Sequence, residues 1–250
     1  MTKSSVVPDR RVLLVEDDAS IARFIDMALE DQGVDLTVCG DVESALTVLQ
    51  ERPVGLVITD LMLPGLSGYD LVDRLHSEPA LLAGAKLVIF SAGVNLDKQA
   101  RLEGRGIWRI LRKPASVSQL QACVLDAFLG NDVAPVPAAD VPIEPAACGS
   151  ESEDGDAILA YFGGDAGLFR AYRAKCLVQF EHDLAAGDAA LQSGDLAALQ
   201  RLSHSLATVF RTLGWAEDGR VAKQLEALAA AGDAGASATA WAQLRTRLLG

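Results

Sequence analysis

Residues able to do chemistry gather in two parts of the chain. In the first half, Glu16, Asp17 and Asp18 follow one apolar run, Asp60 a second, Ser91 a third and Lys113 a fourth. Carboxylates converging beside a lysine make a site for a hard divalent cation such as Mg²⁺, which takes oxygen ligands and keeps several waters. Such a cation can bridge a carboxylate and a phosphoryl oxygen, while a lysine and a hydroxyl hold the remaining oxygens. On that chemistry Asp60 is the nucleophile and an acyl phosphate the product. In the second half, His204 has Arg201, Thr208 and Arg211 at helical spacing, three before and four and seven after. An imidazole between two guanidinium groups suits a phosphorylated state, because arginines stabilise the added negative charge.

The elements that must position these groups are legible in the hydrophobic pattern. Val12–Val15, Leu36–Cys39, Leu56–Thr59, Leu87–Phe90 and Ile107–Leu111 read as strands. Ile21–Glu30, Ser44–Gln50, Tyr69–His76, Leu96–Glu103 and Ser118–Phe128 read as the helices between them. Strands this apolar predict an α/β doubly wound, five-stranded parallel sheet covered on both faces. In such sheets the chemistry sits at the carboxyl ends of the strands, where the acids, Ser91 and Lys113 fall.

From residue 131 to residue 155 the pattern stops. This stretch holds four of the nine prolines, six acids and no base, and so carries half of the net charge of −12. One-sign, proline-rich segments are extended and solvated, so it reads as a linker between domains 1–130 and 156–250. Beyond it the periodicity is helical: Phe169, Tyr172, Cys176, Phe180 and Leu184 mark one helix, and Leu199, Leu202, Leu206, Val209 and Leu213 mark the next. Ser193-Gly194-Asp195 separates them, Gly163-Gly164 reads as an earlier turn, and helices are expected at about 217–230 and 238–249. An all-α four-helix bundle follows. On a helical wheel the leucine stripe centres nearly opposite His204, so the histidine is expected to face solvent or a partner.

The first domain resembles the receiver domain of two-component response regulators. The matching residues are Val12-Leu13-Leu14-Val15-Glu16-Asp17-Asp18, Asp60 through Gly68, Ser91-Ala92 and Lys113-Pro114, spread over roughly residues 10–130. The resemblance implies that a sensor or hybrid histidine kinase phosphorylates Asp60, and that Glu16, Asp17, Asp60 and the Met62 carbonyl hold Mg²⁺. It further implies that Ser91 is the switch hydroxyl, that Lys113 binds the phosphoryl group, and that the Lys113–Pro114 bond is cis. Ile110 departs from the family, which carries Tyr or Phe three residues before the lysine. On strand alternation Trp108 shares the face of Ile110, where packing is its expected role.

The second domain resembles the histidine phosphotransfer (HPt) family, through Leu202-Ser203-His204-Ser205-Leu206-Ala207-Thr208, Leu213-Gly214, the preceding Gly194–Leu199 and the following Gln224-Leu225-Glu226. The resemblance implies that His204 is the phosphohistidine and that receivers of other proteins are its partners. Ala207 stands where the family has lysine, and Thr208 where it has glycine.

Composition bounds the function. With 34 acids against 22 bases, a phosphate-tracking surface is disfavoured and no nucleic acid is expected as partner. The four cysteines are widely spaced, which argues against a zinc or disulfide framework. No stretch approaches a membrane span or a secretory leader, so a soluble cytoplasmic protein with no membrane partner is expected. Without a phosphate-binding loop or kinase signature, the chain is expected to be a phosphoacceptor rather than an enzyme using ATP. Two readings remain: a phosphorelay protein passing phosphoryl groups through Asp60 and His204, or a phosphorylation-switched protein whose helical domain docks without carrying phosphate.

Overall fold

The computed structural model describes residues 10–92, 101–129 and 150–248. They gather into two compact units, one organised on a sheet and one on the C-terminal helices.

The sheet has five parallel strands, β1 (Arg11–Val15), β2 (Asp35–Cys39), β3 (Leu56–Thr59), β4 (Lys86–Ser91) and β5 (Ile107–Arg112), in the order β2-β1-β3-β4-β5. The helices α1 (Ala19–Leu29), α2 (Val42–Glu51), α3 (Gly68–Ser77) and α4 (Val117–Leu129) alternate with them. Residues 93–100, which hold most of the helix expected at Leu96–Glu103, lie outside the described residues.

β1, β3 and β4 are buried almost throughout, which is why they read as unbroken apolar runs. Alternation then divides them between two layers. Leu13, Val15, Val57, Leu87 and Ile89 join Ala45 and Leu49 of α2 and Leu71, Val72 and Leu75 of α3 in one core. Val12, Leu14, Ile58, Val88 and Phe90 point the other way and are equally buried. α2 starts at Asp41, whose carboxylate accepts the Ser44 N–H, and α3 starts with a capping box between Ser67 and Asp70.

The second unit holds α5 (Ser150–Phe162), α6 (Ala166–Ser193), α7 (Leu196–Thr212), α8 (Ala216–Ala230) and α9 (Ala234–Leu248), and Asp18–Met27 and Lys113–Ser118 group with it. The break between α6 and α7 follows its residues: Gly194 takes φ 72° and Asp195 caps α7 by accepting the Ala198 N–H. Two expectations need correction. Residues 130–149 of the expected linker lie outside the described residues, and its end is not extended, because α5 already begins at Ser150. The segment from Ser150 to Gly155, which read as linker, belongs to this helix instead. This helix precedes the four expected ones.

Candidate functional site

Strand register brings the acids of the first unit together. Val15 pairs with Cys39 on one side and Thr59 on the other, so the residues that follow, Glu16 and Asp60, leave the sheet side by side. The Glu16 N–H donates to the Cys39 carbonyl at 2.9 Å and the Asp60 N–H to the Val15 carbonyl at 3.0 Å, which holds both chain exits in place. Carboxylate oxygens of Glu16, Asp17 and Asp60 all lie within 4.8 Å of one another. Glu16 and Asp60 are each 2% exposed, whereas Asp17 is open to solvent. Three hard oxygen donors gathered this closely, with one side reaching water, fit a hexahydrated cation that exchanges only part of its shell.

The other expected residues arrive by the same logic. Ser91 pairs with Arg112 across β4 and β5, and Lys113 is the next residue, so both reach the carboxyl edge of the sheet. Both are buried, and the Lys113–Pro114 bond is cis. Met62 lies partly buried in the loop between β3 and α3. Asp18 has a different task from its neighbours: its Oδ1 accepts the Ile21 N–H at 2.8 Å and caps α1.

The Asp60–Leu61 segment is held from two directions. Asp60 Oδ1 accepts the Leu61 N–H at 2.6 Å, and the Gly68 N–H donates to the Leu61 carbonyl at 3.1 Å. A Cβ on Gly68 would stand 1.9 Å from the Asp60 carbonyl oxygen, so only glycine lets α3 start against the acceptor strand.

Trp108 does not share a face with Ile110 in the way alternation implies. β5 is bulged there: Leu87 pairs with Ile107 and Val88 with Arg109, leaving Trp108 as the extra residue. Its ring lies between Lys86 Nζ at 4.4 Å and the Arg109 guanidinium at 4.3 Å, at the amino-terminal end of the strands. Ile110 is 38% exposed on the edge strand.

The family model that describes the response regulator receiver domain matches residues 12–125. Residues 12–125 form a receiver domain. The DNA-binding response regulator MtrA of Mycobacterium tuberculosis is 34% identical over 139 residues, covering 54% of this chain and 59% of MtrA. The transcriptional activator protein PfeR of Pseudomonas aeruginosa is 36% identical over 119 residues, covering 46% of this chain and 37% of PfeR. Among solved structures, the receiver domain of the Francisella response regulator 1452 is 27% identical, with a TM-score of 0.45 over 49% of this chain and 98% of that one. The chain thus spans about 60% or less of the curated relatives named here.

In the helical unit, His204 is not on an open face. Ser203 through Phe210 are all buried, so burial runs round the whole circumference of α7 and the leucine stripe does not set it. The imidazole is 6% exposed, and its Nδ1 lies 3.0 Å from Glu226 Oε1 on α8. Glu226 Oε2 in turn accepts from Lys223 Nζ at 2.7 Å. Burial pushes the Glu226 carboxyl up, but hydrogen bonds from His204 and Lys223 together hold it below its ordinary range. A carboxylate only accepts, so in the neutral imidazole the proton belongs on Nδ1 and the lone pair on Nε2. Nε2 is buried and has no hydrogen-bond partner among the described residues.

The expected surroundings of His204 are corrected accordingly. Its bonded partner is the acid Glu226, and neither Arg201 nor Arg211 is bonded to it among the described contacts. Arg211 instead lays its side chain over Gly219, where a Cβ would meet it at 3.2 Å. Thr208 is buried, and its hydroxyl donates to the His204 carbonyl at 3.4 Å, along the helix rather than outward. The sequence contained one signal for Glu226, its place in the Gln-Leu-Glu segment of the HPt resemblance; Lys223 had none.

Proposed function

We propose that the chain is a phosphorelay protein in which Asp60 accepts a phosphoryl group from a histidine kinase and His204 exchanges phosphoryl groups with receivers. The observation that carries the first half is the gathering of Glu16, Asp17 and Asp60 within 4.8 Å, on a strand edge shared with Ser91 and Lys113. Glu16, Asp17, Asp60 and the Met62 carbonyl would hold Mg²⁺, which when bound supplies positive charge to the transferring group. An Asp60 carboxylate oxygen attacks phosphorus in line, the phosphorus–nitrogen bond of the donor breaks, and its electron pair returns to the imidazole. Lys113 and Ser91 then hold equatorial oxygens by charge and hydrogen bond.

The second half rests on the His204–Glu226 pair. With the proton held on Nδ1, Nε2 keeps the lone pair that would attack phosphorus once its buried face is opened to a receiver, and Nδ1–H stays bonded to Glu226 once Nε2 is phosphorylated. The DNA-binding named for MtrA belongs to that protein, which this chain only partly spans.

The test is phosphate mapping on the full chain after incubation with a phosphorylated histidine kinase or HPt protein. Base-labile label is expected at Asp60 and acid-labile, base-stable label at His204. Asp60→Asn abolishes the first, and His204→Gln abolishes the second while Asp60 still accepts. Label confined to Asp60, with any of several donors and receivers, overturns the transfer role of His204 and leaves a docking bundle.

A further inference from the structure

The phosphotransfer reading leaves α7 without a cation next to the histidine, since Ala207 occupies the position where the HPt family carries lysine. The neighbouring helix supplies one. Lys223 lies three residues before Glu226 on α8, its Nζ bonds Glu226 Oε2 at 2.7 Å, and Glu226 Oε1 meets His204 Nδ1 at 3.0 Å. We infer that Lys223 is a positioning residue for His204: acting through Glu226, it fixes the tautomer that leaves Nε2 as the nucleophile.

Glu226 links the lysine to the histidine. Its side chain is 12% exposed, and a carboxylate removed from water is unfavourable unless both oxygens find donors. His204 satisfies one oxygen and Lys223 the other. The lysine is 61% exposed, so an isolated pair would contribute little to stability. Its effect lies in geometry: with Oε2 anchored, the carboxylate cannot rotate away from Nδ1, and the imidazole cannot exchange its proton to Nε2 without breaking a charge-assisted hydrogen bond. Without Lys223, Glu226 has one donor and two oxygens, so it can turn toward water and release the ring. The neutral imidazole then samples both tautomers, and the one protonated on Nε2 has no lone pair there to attack phosphorus.

This inference rests on His204 being the phosphoacceptor, and its test separates the two claims. Imidazole ¹⁵N resonances are recorded on the labelled full chain, which has three histidines, the His204→Gln spectrum identifying the signals of interest. In the wild type, Nδ1 is expected as the protonated nitrogen and Nε2 as the unprotonated one. Lys223→Gln is expected to mix the tautomers and to slow phosphoryl acceptance by about threefold to tenfold, and Lys223→Arg to restore both. An unchanged tautomer and rate in Lys223→Gln overturn the role of Lys223. A changed spectrum with no phosphate on His204 in any variant upholds the positioning and overturns the phosphotransfer reading.

Discussion

At the scale of single residues, the receiver site divides adjacent acids by task. Asp17 and Asp18 are neighbours of identical chemistry, yet Asp17 joins the carboxylate cluster while Asp18 Oδ1 caps α1. A difference in Mg²⁺ affinity follows. Asp17→Asn removes one of three anionic donors and is expected to weaken binding by about tenfold, near 1.4 kcal/mol. Asp18→Asn leaves affinity within about twofold, since asparagine caps a helix as well as aspartate does. Titration of the two variants with MgCl₂ by calorimetry reads the contrast directly, and equal losses would refute the division. In the helical unit, Glu226 plays the comparable directing part, setting which nitrogen of His204 carries the proton.

At the scale of elements, close approaches fix where helices lie. Gly187 of α6 faces the ring of Trp241 on α9, where a Cβ would stand 2.1 Å from the indole. The ring is 2% exposed and its Nε1–H donates to Asp188 at 2.8 Å, so it cannot slide aside without losing that bond. Gly187→Ala would gain about 1 kcal/mol in helix propensity but meets an overpacking cost of roughly 1–3 kcal/mol. A net loss of up to about 2 kcal/mol is expected in urea titrations, and Trp241→Leu should relieve it, making the double variant less destabilised than the sum. A stabilised Gly187→Ala would mean that the helices part easily at this crossing. α3 depends on the same kind of contact, with Gly68 against the Asp60 carbonyl, and there the approach serves the acceptor site as well as packing.

For the whole molecule, stability should carry a pH signature from one buried acid. Burial pushes the Asp183 carboxyl up to about 6, against a hydrogen bond from Gln179 at 2.9 Å. A carboxyl whose folded value lies above its ordinary 3.8 binds its proton more tightly folded than unfolded, so it favours the folded state at low pH. That advantage disappears as pH rises through the interval between the two values, and above about pH 6 the buried charge is a full liability. Asp183→Asn removes the dependence. Its stability relative to wild type should grow by about 1 kcal/mol between pH 5 and pH 7.5 in denaturant titrations of the full chain. A constant difference across that range would show that the carboxyl titrates near its ordinary value.

Much of this was written locally. β1, β3 and β4 were legible because a strand buried on both faces must be apolar throughout, while the edge strands β2 and β5 are only partly buried and showed as less continuous apolar runs. The positions of Glu16, Asp60, Ser91 and Lys113 at strand ends follow from chain order alone. Helix limits were legible where a cap marks them, as at Asp195. Tertiary structure decided what depends on residues distant in the chain. The bulge in β5 broke the alternation that paired Trp108 with Ile110, because pairing with β4 fixes where an extra residue is accommodated. The environment of His204 was likewise not contained in the period of its own helix. A hydrophobic stripe reports the face that prefers burial, but a polar residue on another face is buried when a neighbouring helix brings it a partner. Glu226 does so from 22 residues away.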